Sequence, residues 1–252
     1  MAEVATFESG AYRYIRGPFQ YSGGVVAEPG FVIERVRFTR PVDLEVGFKR
    51  IEGYLREIGR PCTAFCACEL RSPEPFSEEG FVEFNRVYVE TLERWGLFSN
   101  DENPVARSNV CPEIDRPAGP SFHAFCYTVP ATDVVQPSFV ISGSAEVPEG
   151  DGTYAERIIR RGDNSASAMR EKALYVLDTM GARMSALGVS WNNSTATHAY
   201  TIHNLHSFFA DEIVSRGAAA LGLTWFYARP PVTGLDYEMD VRAVFTEHIL
   251  QD

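Results

Sequence analysis

No stretch of the sequence reaches the roughly 18 consecutive apolar residues of a membrane span, so no membrane partner is expected. The opening MAEVATFESG has neither the basic patch nor the apolar core of a signal peptide. Cysteine is sparse and odd in number, five in all, which is a poor basis for a disulfide framework. Together these absences lead to the expectation of a cytoplasmic protein with reduced thiols. Basic residues are outnumbered, 23 Lys and Arg against 34 Asp and Glu, for a net charge of −11. A surface of that sign repels phosphate backbones, so nucleic acid is excluded as a partner. The glycine fingerprints GxGxxG and GxxxxGK are missing, and with them the expectation of a dinucleotide or P-loop phosphate cofactor. Cys62, Cys66 and Cys68 fall on one face of a strand-like run, but no second cluster exists to complete a zinc ribbon. His198, His203 and His206 do not have HExxH spacing. No cofactor and no metal are therefore expected.

What is present is a 252-residue chain that is 45% hydrophobic and 12% aromatic, enough for a substantial core. Its organisation repeats. Asp43–Ile58 carries Leu44, Phe48, Ile51, Leu55 and Ile58 at helical spacing, and Gly59 ends it. Ser165–Met180 has the same design and is followed by Gly181, 122 residues after Gly59. Strand-like runs follow at Cys62–Leu70 and Ser194–Ile202, then helices at Glu78–Trp95 and Leu205–Arg216. Two arginine segments come next, NPVARSNV around Arg107 and WFYARPPV around Arg229, again 122 apart. Each half closes on an alternating strand, Phe122–Val129 and Tyr237–Phe245. The Pro-bounded stretch Pro130–Pro137 reads as the seam, giving domains 1–130 and 131–252.

Arg107 and Arg229 stand at helix-to-strand junctions, where a planar guanidinium can present a fork to a carboxylate. Glu238 and Asp240 occupy alternate positions of the last strand and share a face. A carboxylate held beside a substrate can deliver water, although spacing alone slightly favours two solvated residues on an outer face. Tyr21–Gly24 (YSGG) and Ile141–Ser144 (ISGS) place glycine among strand residues, a mark of close backbone approach or of a bulge.

The ordered set ISGSAEV, SASAMREKALYVLDTMGA, ATHAYTIHNL and YEMDVRAV in the second half, with RGPF, FNRVYVETL and ARSNV in the first, resembles the RidA/YjgF reactive-intermediate deaminases. The resemblance implies an α/β (α+β) fold of two tandem RidA/YjgF-like (chorismate-mutase-like) domains, each a mixed sheet backed by two helices. It implies a hydrolase, specifically a deaminase of a small carboxylate-bearing enamine or imine, 2-aminoacrylate- or 2-aminomuconate-like. It assigns the carboxylate grip to Arg107, and to Arg229 where the following serine is lost. It assigns the catalytic glutamate to Glu238, with His123 at the matching place in the first copy, and adds Ser142, Asn85 and Phe19 as substrate-binding residues. Each copy is incomplete, so the expectation is one composite site taking Arg107 from the first copy and Glu238 or Ser142 from the second. The alternatives are a chorismatase-like hydrolase and a non-catalytic carboxylate-binding protein of the same fold. Family habit further implies a homo-oligomer, a homotrimer above all.

Overall fold

The structure is a computed structural model and describes residues 2–251. Its strands are β1 (Val4–Phe7), β2 (Tyr12–Ile15), β3 (Gly24–Ala27), β4 (Phe31–Asp43), β5 (Phe65–Arg71), β6 (Ala106–Pro112), β7 (Ser121–Pro130), β8 (Phe139–Ala145), β9 (Ala196–Tyr200), β10 (Thr224–Phe226), β11 (Ala228–Arg229), β12 (Glu238–Ala243) and β13 (Glu247–Leu250). The helices are α1 (Leu44–Glu57), α2 (Glu78–Arg94), the one-turn α3 (Tyr154–Arg157), α4 (Ala166–Leu187) and the short α5 (His206–Phe208).

Two mixed sheets form, in the orders β1-β2-β3-β8-β12-β9-β10 and β11-β6-β5-β7-β4-β13. Each takes strands from both halves of the chain. The first three strands join the sheet of the second half, where β3 pairs with β8. In return β11 pairs with β6, and β13 with β4.

Helix placement follows the apolar periodicity. The Asp43 carboxylate caps α1 by accepting from the backbone N–H groups of Glu45 and Val46. Phe48, Ile51 and Leu55 then lie on one face, against Phe65, Phe122 and Phe125 of the second sheet and Tyr88, Val89 and Leu92 of α2. On the first sheet, Met169, Ala173, Val176, Leu177, Met180 and Met184 of α4 meet Phe139, Ile141, Met239 and Val241. At about 1.5–3 kcal/mol for each large apolar side chain buried, these two clusters hold the helices to the sheets. The faces turned away from the helices meet each other, through Tyr14 and Val25 of one sheet and Ile33, Cys66, Ala106 and Cys126 of the other. The expected fold class, mixed sheets backed by helix pairs, is the one observed.

Local departures have local causes. Gly181 does not end its helix; α4 runs to Leu187, and Gly188 at φ +77° closes it in the left-handed conformation. The expected helix Leu205–Arg216 is α5 followed by a π-helical turn, Phe209–Val214. Cys62, Cys66 and Cys68 do not share a face. Cys62 lies in a 3-10 turn, and the register of β5 against β7 shifts between Phe65 and Ala67. Cys66 therefore faces the other sheet, while Cys68 faces Tyr88 of α2. Among the described residues, no helix is long and apolar enough to cross a membrane.

Candidate active site

A small cavity lies where β6 of the second sheet meets β8 and β12 of the first. Arg107 and Asn109 reach it from β6, Gly143 from β8, Glu238 from β12, Phe81 from α2 and Tyr154 from α3. The first half thus supplies the cationic wall and the second half the acidic one, within one chain.

Arg107 is 2% exposed. Its Nη2 donates to Asn85 Oδ1, and Asn85 in turn donates from Nδ2 to the carbonyl of Phe81. The guanidinium sits 4.7 Å from the Tyr88 ring centroid and 5.0 Å from that of Tyr21, an aromatic cradle that suits a planar cation. Nε and Nη1 are buried with no hydrogen-bond partner among the described residues. Leaving charged donors unpaired in an interior is costly, and such donors suit an anionic ligand. Ser142 does not reach into the cavity with its hydroxyl. Its Oγ accepts from the Arg107 backbone N–H at 3.0 Å and donates to the Ser22 carbonyl at 2.6 Å. That pair of bonds pins β6 to the first sheet and fixes where Arg107 starts.

Glu238 is 3% exposed, and Asp240 is 5% exposed, so neither is a solvated outer-face residue. Burial, reinforced by the neighbouring Asp240 charge, pushes the Glu238 carboxyl well above the usual carboxylate range. Gly143 makes room for it: a Cβ there would stand 2.1 Å from Glu238 Oε1. The approach to β12 is set by Glu146, which accepts from the backbone N–H groups of Asp236 at 2.6 Å and Tyr237 at 3.0 Å. Burial pushes Glu146 up to about 7 despite those bonds and the Lys172 ammonium 3.6 Å away. Lys172, wholly buried on α4, also pairs with Asp236. A helix, the end of β8 and the start of β12 are thereby tied together directly behind Glu238.

The remaining expected residues lie elsewhere. His123 faces the gap between the sheets, 3.9 Å from Glu69, with its ring centroid 6.2 Å from that of Phe226. Burial, and then the Arg71 charge, pull its imidazole down to about 3, and it is not in the lining of the cavity that holds Arg107 and Glu238. Around it runs a network that is paired except at Arg71 Nη2, which is buried with no hydrogen-bond partner among the described residues. Arg35 makes two bonds to Glu69, at 2.7 and 2.9 Å. Arg242 donates to His198 Nε2 at 3.0 Å, which leaves His198 Nδ1 to donate to Asp240 at 3.1 Å. Burial raises Glu69, but Arg35 and Arg242 outweigh it and hold the carboxyl well below the usual range. Arg229 is clamped to Glu113, at 2.8 and 3.4 Å, outside the cavity. Phe19 lies under the Arg86 guanidinium, 3.7 Å away. Asn109 and Tyr154 are not among the residues the sequence points to, and Tyr21 enters there only as the start of a glycine-bearing segment. Asn109 was legible, since it alternates with Arg107 on a strand and so shares its face; the cavity's closure by the segment carrying Tyr154 was not.

A family model described as 2-aminomuconate deaminase CnbZ matches residues 4–248. The 2-amino-5-chloromuconate deaminase of Comamonas testosteroni is 49% identical over 251 residues, covering 99% of this chain and all of that protein. Among solved structures, a chorismatase aligns at TM-score 0.49 and 10% identity over 96% of this chain and 86% of that one. The YjgF protein of E. coli aligns at TM-score 0.32 and 18% identity over 45% and 84%. These two distant likenesses carry no argument about activity; the two nearly full-length sequence matches do, and by them the chain is an enzyme acting on C–N bonds that belongs to the 2-aminomuconate deaminase CnbZ family.

Proposed function

We propose that this chain is a hydrolytic deaminase of a 2-aminomuconate-like dicarboxylate. The observation that carries the reading is the presence, in the lining of one cavity, of Arg107 with unpaired donors and of a buried carboxyl, Glu238. The substrate's carboxylate next to the amine takes a charge-assisted hydrogen bond from the unpaired Nη1 of Arg107. Held there, the reacting carbon needs no further search for its partner. Burial raises the Glu238 carboxyl above the range of an exposed glutamate, and on this reading it enters as the acid. It gives its proton to the enamine carbon, leaving an iminium at the amine-bearing carbon. As carboxylate it then takes a proton from water as the oxygen bonds to that carbon. It returns this proton to nitrogen and then takes the hydroxyl proton as the C–N bond breaks, so that ammonia leaves a ketone and Glu238 is protonated again. The sum is enamine plus water to ketone plus ammonia.

The apolar wall of Phe81, Val147, Val232 and Leu235 suits the carbon chain of such a substrate. On this reading Asn85 and Ser142 position Arg107, and His123, Arg229 and Phe19 contribute little. The tandem units 1–130 and 131–252, a relation to RidA/YjgF proteins and a trimeric assembly are part of the same proposal, supported by the sequence repeat and by the complementary contributions of the two halves. The direct test is ammonia release from 2-aminomuconate and from 2-aminoacrylate generated in situ, by the wild type and by Arg107→Ala. Turnover that survives unchanged in Arg107→Ala overturns the assignment.

A further inference from the structure

The cavity contains one more unsatisfied donor, and the proposed chemistry at the amine-bearing carbon has no use for it. Asn109 lies two residues beyond Arg107 on β6, lines the cavity and is 3% exposed. Ser72 Oγ donates to its Oδ1 at 3.0 Å. That bond fixes the amide plane, so Nδ2 is turned the other way. Nδ2 is buried and has no partner among the described residues. A neutral amide donor left unpaired in an interior costs about 1–3 kcal/mol. Successive same-face residues on a strand are about 6.5–7 Å apart. A linear substrate gripped at one end by Arg107 and lying along β6 therefore brings a group several atoms away opposite Asn109.

We propose that Asn109 is a specificity-determining residue whose Nδ2 donates to the far carboxylate of a dicarboxylate substrate, with Ser72 as the residue that aims it. This rests on the deaminase reading of the same cavity and adds to it the end of the substrate remote from the amine. It also explains the choice of an amide. A second buried guanidinium beside Arg107 would add like-charge repulsion in a site of low dielectric, whereas an amide contributes a directed hydrogen bond without charge.

The test is a substrate pair, 2-aminomuconate with two carboxylates and 2-aminoacrylate with one, assayed with the wild type, Asn109→Ala, Asn109→Asp and Ser72→Ala. Asn109→Ala should lower kcat/KM for the dicarboxylate by about 10- to 100-fold, as loss of a hydrogen bond to a charged group does, and leave the monocarboxylate within about two-fold. Asn109→Asp should lower it further, because like charges then face each other. Ser72→Ala should show the same selectivity in smaller measure, through KM. Equal losses on both substrates in these variants, or no loss on either, overturn the proposal. Should Asn109→Ala fail to fold, Ser72→Ala still decides, since a merely structural role would move both substrates alike. Wild-type turnover of neither substrate instead overturns the deaminase reading and is distinguished by that control.

Discussion

Two sets of buried charges lie between the same two sheets, and they are finished to different degrees. In the network of Arg35, Glu69, Arg242, His198 and Asp240, cations and acceptors answer one another at 2.7–3.8 Å. In the cavity, Arg107 and Asn109 keep unpaired donors, and burial raises the Glu238 carboxyl that shares the lining with them. Residue type does not separate the two regions, since both contain arginine and carboxylate on facing strands. Satisfaction does. A completed buried network specifies how the sheets meet, while an uncompleted one is a site awaiting what completes it.

The sharpest way to break the contrast is Glu238→Gln, which removes the ionisable proton and keeps the shape. It should cut kcat by about 10²–10⁴-fold. The wild-type profile should fall on the alkaline side as Glu238 ionises, and the variant should lack that limb. Stability should move oppositely. Glu238 has its folded pKa above its unfolded one, so its contribution is complete below the unfolded pKa and is lost as pH rises through the folded value. Thermal melts of Glu238→Gln should therefore exceed wild type increasingly as pH is raised through that window. Equal melts at every pH would show that Glu238 is not held neutral.

Next in size is the pair of arginines. Arg107→Ala should lower kcat/KM by about 10²–10³-fold, while Arg229→Ala, which loses a half-exposed pair with Glu113, should stay within a few-fold. A reversal in steady-state assays would exchange the roles of the two regions. Glu69→Ala belongs to the finished network and should instead cost about 3–5 kcal/mol of stability, because it strands Arg35 in the interior. Chemical denaturation measures this, and a cost below about 1 kcal/mol would remove the distinction drawn here. Smallest is His123→Ala. Its imidazole is neutral and accepts no proton near neutrality, so both kcat/KM and stability should change little. A ten-fold loss of activity would return it to the site.

The fold class was legible because apolar periodicity is local: the α1 face at Phe48, Ile51 and Leu55 is written in consecutive turns. The composite site was legible through the complementary gaps of the two halves, an arginine motif without the glutamate and a glutamate without the arginine motif. What the sequence hid depends on long-range partners. Nothing near Arg229 announces that Glu113, 116 residues earlier, closes its fork. Nothing near His123 announces the burial that empties it of charge. Nor does the ISGS glycine reveal by itself that the atom it makes room for belongs to residue 238. Gly181 misled because glycine is tolerated inside a helix when a later, better stop exists in Gly188.

The exchange of strands between the halves bears on how the chain assembles itself. Severed in the stretch near residue 135, the amino-terminal fragment would hold β1–β3 with no sheet to join, and the carboxy-terminal fragment would hold β11 and β13 in the same condition. Open strand edges of that kind recruit whatever backbone is nearest. Neither half can mature ahead of the other, so the polypeptide should acquire its structure in one cooperative step. The two pieces made separately should find each other or aggregate, and the catalytic cavity would be rebuilt only in the reunited pair.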